Sequence, residues 1–330
     1  MISLYPLRFE PLYKHYLWGG RRFETLLGRR LTPGEVYAES WEIVDHGEDQ
    51  SVVHFGPLAG RTLRELMNEH RDALLGPAVR REAPGVLAGR FPLLLKLLDA
   101  AQNLSIQVHP DDAMAARLDP PELGKTEAWY VLAAEPGSRI WAGLKPGVDR
   151  PTLARAVRDG TCDDCVDWFE PRPGDALLIR AGTVHSLGAG VMVAEIQQAS
   201  DATFRLFDWN RLGPDGRPRP LHVEQALEAI DFDAGPVRPV PPIAGDVDRA
   251  VPILDCEYFA LARWELTEQV SPAGDGRCHL LCVLEGSVTV EGDSGETPLS
   301  RGETILLPAS LPPIAVTPRP RAVLLDVKLR

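Results

Sequence analysis

Residues 173–187 read PGDALLIRAGTVHSL. A turn at Pro173-Gly174 precedes an acid, Asp175, then an apolar run from Ala176 to Ile179, a second turn at Ala181-Gly182, and His185. A short strand framed by two turns and followed by a histidine is the grammar of an antiparallel β-barrel that gathers ligands at its interior. Residues 301–313, RGETILLPASLPP, repeat that grammar. With Gly174 set on Gly302, Asp175 meets Glu303, Leu178 meets Leu306, Ala181 meets Ala309 and His185 meets Pro313. The expectation is a duplicated β unit whose second copy keeps the fold and lacks the ligand.

Outward from this stretch, the chain from Phe169 to Phe207 reads as mostly β. FPLLLKLLDA and LSIQVHP read as strands, and GKTEAWYVLAAEPGSRIWAGL as two more around a turn. The first fifty-odd residues are short alternating runs broken by Gly and Pro. Helical rhythm enters at Thr62 to Leu75, where Leu63, Leu66, Met67 and Leu74 recur between Pro57 and Pro77. Further helices are predicted from Asp111 to Leu118 and from Thr152 to Asp159. Residues 231–250 are rich in Pro, Gly and Asp, which marks a linker or an extended crossing strand. From Val251 onward, short alternating strands with regular turns indicate a second, smaller β domain. The expected division is therefore a barrel over 1–230 with helical insertions near 57–90, 110–123 and 147–168, a linker over 231–250, and a β domain over 251–330.

At 330 residues the chain is long enough for two compact units. Its 44% hydrophobic and 25% charged residues are those of an ordinary globular protein. A formal net charge of −12 argues against nucleic acid, which needs a concentrated basic face. A small anion would have to be met by a few local cations. The longest apolar stretch, Phe91 to Leu98, is interrupted by Lys96, and the N-terminus lacks a signal-peptide pattern, so no membrane is expected and the location is read as cytoplasmic. Five cysteines do not form a disulfide framework. Cys162 and Cys165 are a redox pair, half a zinc site or core, and Cys278 and Cys282 read as core.

The chemistry gathers in four places. Gln107 and His109 in LSIQVHPDD are two apart, so a strand projects both to one face, with Ser105 beside them. Glu127 opens the strand in GKTEAWY, and His185 follows the turn described above. Two imidazoles and a carboxylate suit Zn²⁺ or another first-row metal, with positions left for oxygens. Glu195 in VAEIQQ is a second carboxylate in the same part of the chain. Trp18 and Trp41 are read either as pocket walls or as core. His15, His46, His54, His70, His222 and His279 have no partner at useful spacing and are read as structural or surface.

PGDALLIRAGTVHSL resembles the second cupin motif, and QVHP with KTE a form of the first. More narrowly, LWGG, AESWE, LLKLLDAAQNLSIQVHPDD, GKTEAWYVL and the run from PGDALLIR to FDWNR resemble, in order and spacing, the short bacterial type I mannose-6-phosphate isomerases. The likeness covers most of residues 5–225. It implies a mainly β protein, a cupin jelly-roll barrel with inserted helices plus a smaller C-terminal cupin-like domain. It also implies one divalent metal, zinc, on Gln107, His109, Glu127 and His185. The family's active-site arginine falls on Arg205, its lysine on Lys125 and its serine on Ser105. Many members have Lys-Pro-Glu where this chain has Lys125-Thr126-Glu127.

The implied reaction interconverts mannose 6-phosphate and fructose 6-phosphate by moving a proton between C2 and C1 through a cis-enediol. Lys125 and Glu195 are both candidates for the general base. Arg205, with Ser105 and Lys125, would grip phosphate or polarise an oxygen. The expected partner is a small phosphosugar, with the chain a monomer or homodimer. Two rivals stay open: a mononuclear iron oxygenase, against which Gln107, Lys125 and Arg205 weigh, and a cupin that binds a sugar phosphate without turning it over.

Overall fold

The structure, a computed structural model, describes residues 3–77, 89–213, 216–242 and 245–330. It is mainly β, with five short α-helices among the described residues. The chain divides into two compact units, one comprising Met1–Leu12, Trp41–Lys96 and Ile243–Arg330, the other Tyr13–Ser40 and Leu97–Pro242.

The division is interleaved, where the sequence suggests a single break at 231–250. Main-chain bonds between residues far apart in sequence cause this. Leu7 and Leu306 exchange both N–H···O bonds, at 2.8 and 2.9 Å. Arg8 pairs with Asp293 and donates to the Thr297 carbonyl. Ala309 and Ser310 donate to the carbonyls of Leu74 and Ala73, each at 2.9 Å, at the end of the Leu63–Leu75 helix. That helix starts on a capping box: Glu65 N–H donates to Thr62 Oγ1 and Thr62 N–H to the Glu65 carboxylate. The expected insertion over 57–90 lies partly outside the described residues.

The second unit is built on two sheets. One carries Leu93–Ala100, Val191–Gln198, Glu127–Ala134 and Ala176–Ile179 as successive neighbours. The other runs Phe204–Phe207, Ile106–Val108, His185–Leu187, Ile140–Leu144 and Val166–Phe169. Leu98, Trp129, Val131, Leu177 and Ile179 from the first meet Ile140, Ala142 and Leu187 from the second in one core, so the sheets close on each other as a β-sandwich. The Pro-rich segment after 231 follows this barrel: Val237 donates to the Ala142 carbonyl, and Val240 pairs with Ala176.

A second core fills the helical side. Arg150–Asp159, capped by Asp149, packs with Val223–Ala229 against Ile106, Val108, Phe204 and Leu206. The helix expected over 111–118 is only Asp112–Ala115, which the Pro120-Pro121 pair cuts short. Val223–Ala229 is not evident in the sequence, because its seven residues are too few to show a period. Cys162 and Cys165 sit on a 3₁₀ turn inside this core, and burial pushes the Cys162 thiol up, away from thiolate chemistry. Trp18 and Trp41 are likewise core residues, each in its own unit.

The last eighty residues form a sheet ordered Ala250–Asp255, Phe259–Leu266, Val316–Leu329, His279–Val290 and Leu299–Ser300, with Thr304–Leu307 also pairing on His279–Val290. The strand Thr304–Leu307 lies where the alignment of Gly302 with Gly174 places Ala176–Ile179. Both glycines adopt positive φ, +91° at Gly174 and +80° at Gly302, as the turn before each strand requires. The acids after them act alike: Arg172 N–H donates to Asp175 at 2.8 Å, and Ser300 N–H to Glu303 at 2.6 Å.

Candidate metal centre

The ligand residues stand at strand starts and strand neighbours. Gln107 lies on the short strand Ile106–Val108, between His185 and Arg205 as its register partners on the two flanking strands. His109 follows that strand directly. Glu127 and His185 each open a strand. Ser105 and His109 flank the strand that the sequence extends through both, yet their side chains still reach the same place.

The side chains form one connected set. His109 Nε2 is 3.4 Å from Glu127 Oε2, and His185 Nε2 is 3.4 Å from Glu127 Oε1. The Gln107 amide lies 3.4 Å from His185 Nε2, and Ser105 Oγ donates to its other end at 3.2 Å. Arg205 Nε donates to Ser105 Oγ at 3.3 Å. On the opposite side Lys125 Nζ is 3.3 Å from Glu127 Oε2 and 4.0 Å from Glu195 Oε1, while Trp129 Nε1 donates to Glu195 Oε2 at 3.0 Å. All eight residues proposed from the sequence therefore belong to one cluster.

Both imidazoles present a bare Nε2 to the centre. His109 Nδ1 is 2.9 Å from the Ala202 carbonyl and His185 Nδ1 is 2.9 Å from the Thr183 carbonyl, so each Nδ1 carries the proton. Burial holds both rings neutral: it drives the His109 pKa down to about 3, aided by Lys125, and lowers that of His185. Burial works against the Glu127 carboxylate, but the Lys125 ammonium beside it outweighs that and keeps it ionised.

His109 Nε2 and both Glu127 oxygens are buried without a hydrogen-bond partner among the described residues. Buried polar atoms are normally satisfied, and here a set of lone pairs converges with no proton between them. The ligand atoms of His109, Glu127 and His185 lie within 4.8 Å of one another. A divalent cation fits this donor set. A half-turn of the Gln107 amide would exchange its oxygen and nitrogen and turn an oxygen donor toward His185.

Residues 7–130 match the family model "Phosphomannose isomerase type I, catalytic domain", and residues 251–324 match "Mannose-6-phosphate isomerase, cupin domain". The mannose-6-phosphate isomerase ManA of Bacillus subtilis is 33% identical over 93% of this chain and 94% of its own length. The chain belongs to the type I mannose-6-phosphate isomerase family. The Streptococcus mutans mannose-6-phosphate isomerase is 31% identical over 93% of both chains. The crystal structure of the mannose 6-phosphate isomerase from Bacillus subtilis superposes with a TM-score of 0.83 at 31% identity, covering 98% of this chain and 99% of that one.

Several groups that shape the centre escape a reading of the sequence. The Ala202 and Thr183 carbonyls that set the histidine tautomers are main-chain atoms, which any residue supplies. Trp129 shares with Glu195 the register position across neighbouring strands, a pairing visible only once the strands are matched.

Proposed function

We propose that this chain interconverts mannose 6-phosphate and fructose 6-phosphate, an aldose–ketose isomerisation, as its family relatives are named for. The observation that carries the reading is the convergence of partnerless, deprotonated ligand atoms beside two cations, Lys125 and Arg205, in a chain of net charge −12. Gln107, His109, Glu127 and His185 would hold one divalent ion, and nitrogen and oxygen donors in this number suit Zn²⁺. Such an ion supplies Lewis-acid polarisation of sugar oxygens and charge stabilisation in an enediolate.

The chain's own residues do the rest. Lys125 and Glu195 form an acid–base pair beside the ligand carboxylate, and that pair carries the proton from C2 to C1 through the cis-enediol. Trp129 fixes Glu195 by binding one carboxylate oxygen. Arg205 presents a planar fork that matches a phosphate, and Ser105 links it to Gln107.

The test is a coupled assay of the zinc-loaded protein with mannose 6-phosphate in deuterated water. Fructose 6-phosphate should form, with deuterium at C1 in those turnovers in which the carried proton exchanges with solvent on the acid–base pair. No product from the fully loaded protein would overturn the reading in favour of a binding-only cupin. Arg205→Ala should lower kcat/KM by about 10- to 100-fold, the value of a hydrogen bond to a charged group. Unchanged kcat and unchanged affinity for sugar phosphate would remove Arg205 from the site.

A further inference from the structure

Lys125 and Glu127 both point into the centre, and Thr126 between them is held by the end of a neighbouring strand. Gln198 is buried at the end of the strand Val191–Gln198. Its Oε1 accepts from Thr126 N–H at 2.9 Å, and its own N–H donates to the Thr126 carbonyl at 3.1 Å. Both main-chain polar groups of residue 126 are thus bonded to one glutamine. The far end of the amide is fixed as well: Nε2 donates to Asp112 Oδ1 at 2.9 Å. The same Asp112 oxygen accepts from Gly124 N–H at 2.9 Å.

The neighbouring bonds follow the same pattern. Lys125 N–H donates to the Pro110 carbonyl at 3.0 Å, and Ser200 Oγ to the Leu123 carbonyl at 2.7 Å. Thr126 Oγ1 accepts from Ala181 N–H at 3.2 Å, in the turn that leads to His185. Every residue from Leu123 to Thr126 is tied, and Gln198 makes the tie nearest to the ligand.

We infer, building on the site reading above, that Gln198 is a positioning residue, clamping Thr126 so that Lys125 and Glu127 are delivered together to the metal and the substrate. Without it, a buried Thr126 N–H loses its acceptor and the Lys125–Glu127 segment its link to Asp112. Groups that orient metal ligands are typically worth 10- to 100-fold in affinity or activity.

The test uses full-length protein and reads the apparent Zn²⁺ dissociation constant by competition with a chelator, alongside kcat, KM and the unfolding midpoint of the metal-free protein. Gln198→Met keeps the side-chain length and the main-chain bond to the Thr126 carbonyl, and loses both side-chain hydrogen bonds. It should weaken Zn²⁺ binding by about 10- to 100-fold and, at saturating Zn²⁺, lower kcat more than it raises KM. The pair Asp112→Asn with Gln198→Glu exchanges donor and acceptor across the clamp and keeps an acceptor for Thr126. It should bind Zn²⁺ more tightly than Gln198→Glu alone. Wild-type Zn²⁺ affinity in Gln198→Met would overturn the inference. If that variant does not fold, the exchanged pair decides, and equal affinity of the pair and the single glutamate would overturn it. Glu127→Ala separates the two readings: if it keeps Zn²⁺, the site assignment fails, whereas if it loses Zn²⁺ while Gln198→Met keeps it, only the clamp fails.

Discussion

The two β units of this chain bury acidic and imidazole side chains at matching strand positions and balance their charge in opposite ways. Matching Gly174 with Gly302 sets Ile179 on Leu307, and their strand partners are Glu127 and His279. One strand further, Glu195 faces Trp129 as Asp326 faces Leu281. In the catalytic unit, the carboxylate Glu127 meets two neutral histidines and the Lys125 ammonium, and the converging lone pairs of Glu127, His109 and His185 leave a place for a further cation from outside. In the C-terminal sheet, His279 occupies that position and supplies the cation itself. Its Nδ1 is 2.8 Å from Asp326 and its Nε2 is 3.1 Å from Asp275. Two carboxylates require two N–H donors, so the ring is an imidazolium. Pro313 stands in the place of His185. Where the first unit leaves an ion's electrostatic role open, the second fills it with a side chain.

The largest effect should come from breaking the metal-demanding side. Glu127→Ala removes the only carboxylate among the ligands, and bound zinc should fall from one ion per chain to none. Turnover should fall by more than the ~100-fold typical of a residue that merely supports a ligand. Metal analysis and the isomerase assay together check this. A full complement of zinc in Glu127→Ala would break the comparison.

The self-neutralised side should respond in stability. His279→Leu leaves Asp326 buried with, among the described residues, the Trp264 Nε1 side-chain donor at 3.1 Å, and should cost about 3–5 kcal/mol in denaturant unfolding. Adding Asp326→Leu removes the stranded charge and should recover most of that loss. Zinc stoichiometry should stay at one throughout. If the double variant is no better than the single one, His279 serves packing and not charge.

The catalytic barrel was largely legible because its signals are local. Turn residues frame the strand before His185, the spacing of two brings Gln107 and His109 together, and family resemblance carried Lys125, Ser105 and Arg205 to the positions where the structure gathers them. What escaped is long-range or lacks a residue signature. His279 has one partner four residues away, Asp275, in the bend before its strand, while Asp326 lies 47 residues away and meets it only through strand pairing. Leu7 and Leu306 give no hint of each other, so the interleaving of the units could not be seen. The clamp at Thr126 depends on main-chain groups, and its glutamine is one of two adjacent in QQ that only the strand register tells apart.

The smallest effect is a pH dependence that separates the barrels by sign. Burial lowers the pKa of His279, but Asp326 and Asp275 outweigh it and raise it above the ordinary value. A base whose folded pKa is raised stabilises fully below its unfolded value, near 6.5, and that stabilisation is lost as pH rises through the folded value. Asp275 is shifted the other way: burial opposes ionisation, yet His279 and Lys328 hold its pKa down, so its share is lost on acidification. The stability gap between wild type and His279→Leu should therefore be widest between about pH 4 and 6.5 and narrow toward alkaline pH. Metal-free His109 behaves oppositely, with a folded pKa of about 3, so its cost to stability grows as pH falls below about 6.5. Protons should likewise compete poorly for its Nε2 between pH 7 and 5, leaving zinc affinity nearly flat there. A gap independent of pH would mean that His279 is neutral, and the second barrel would then need another source for its positive charge.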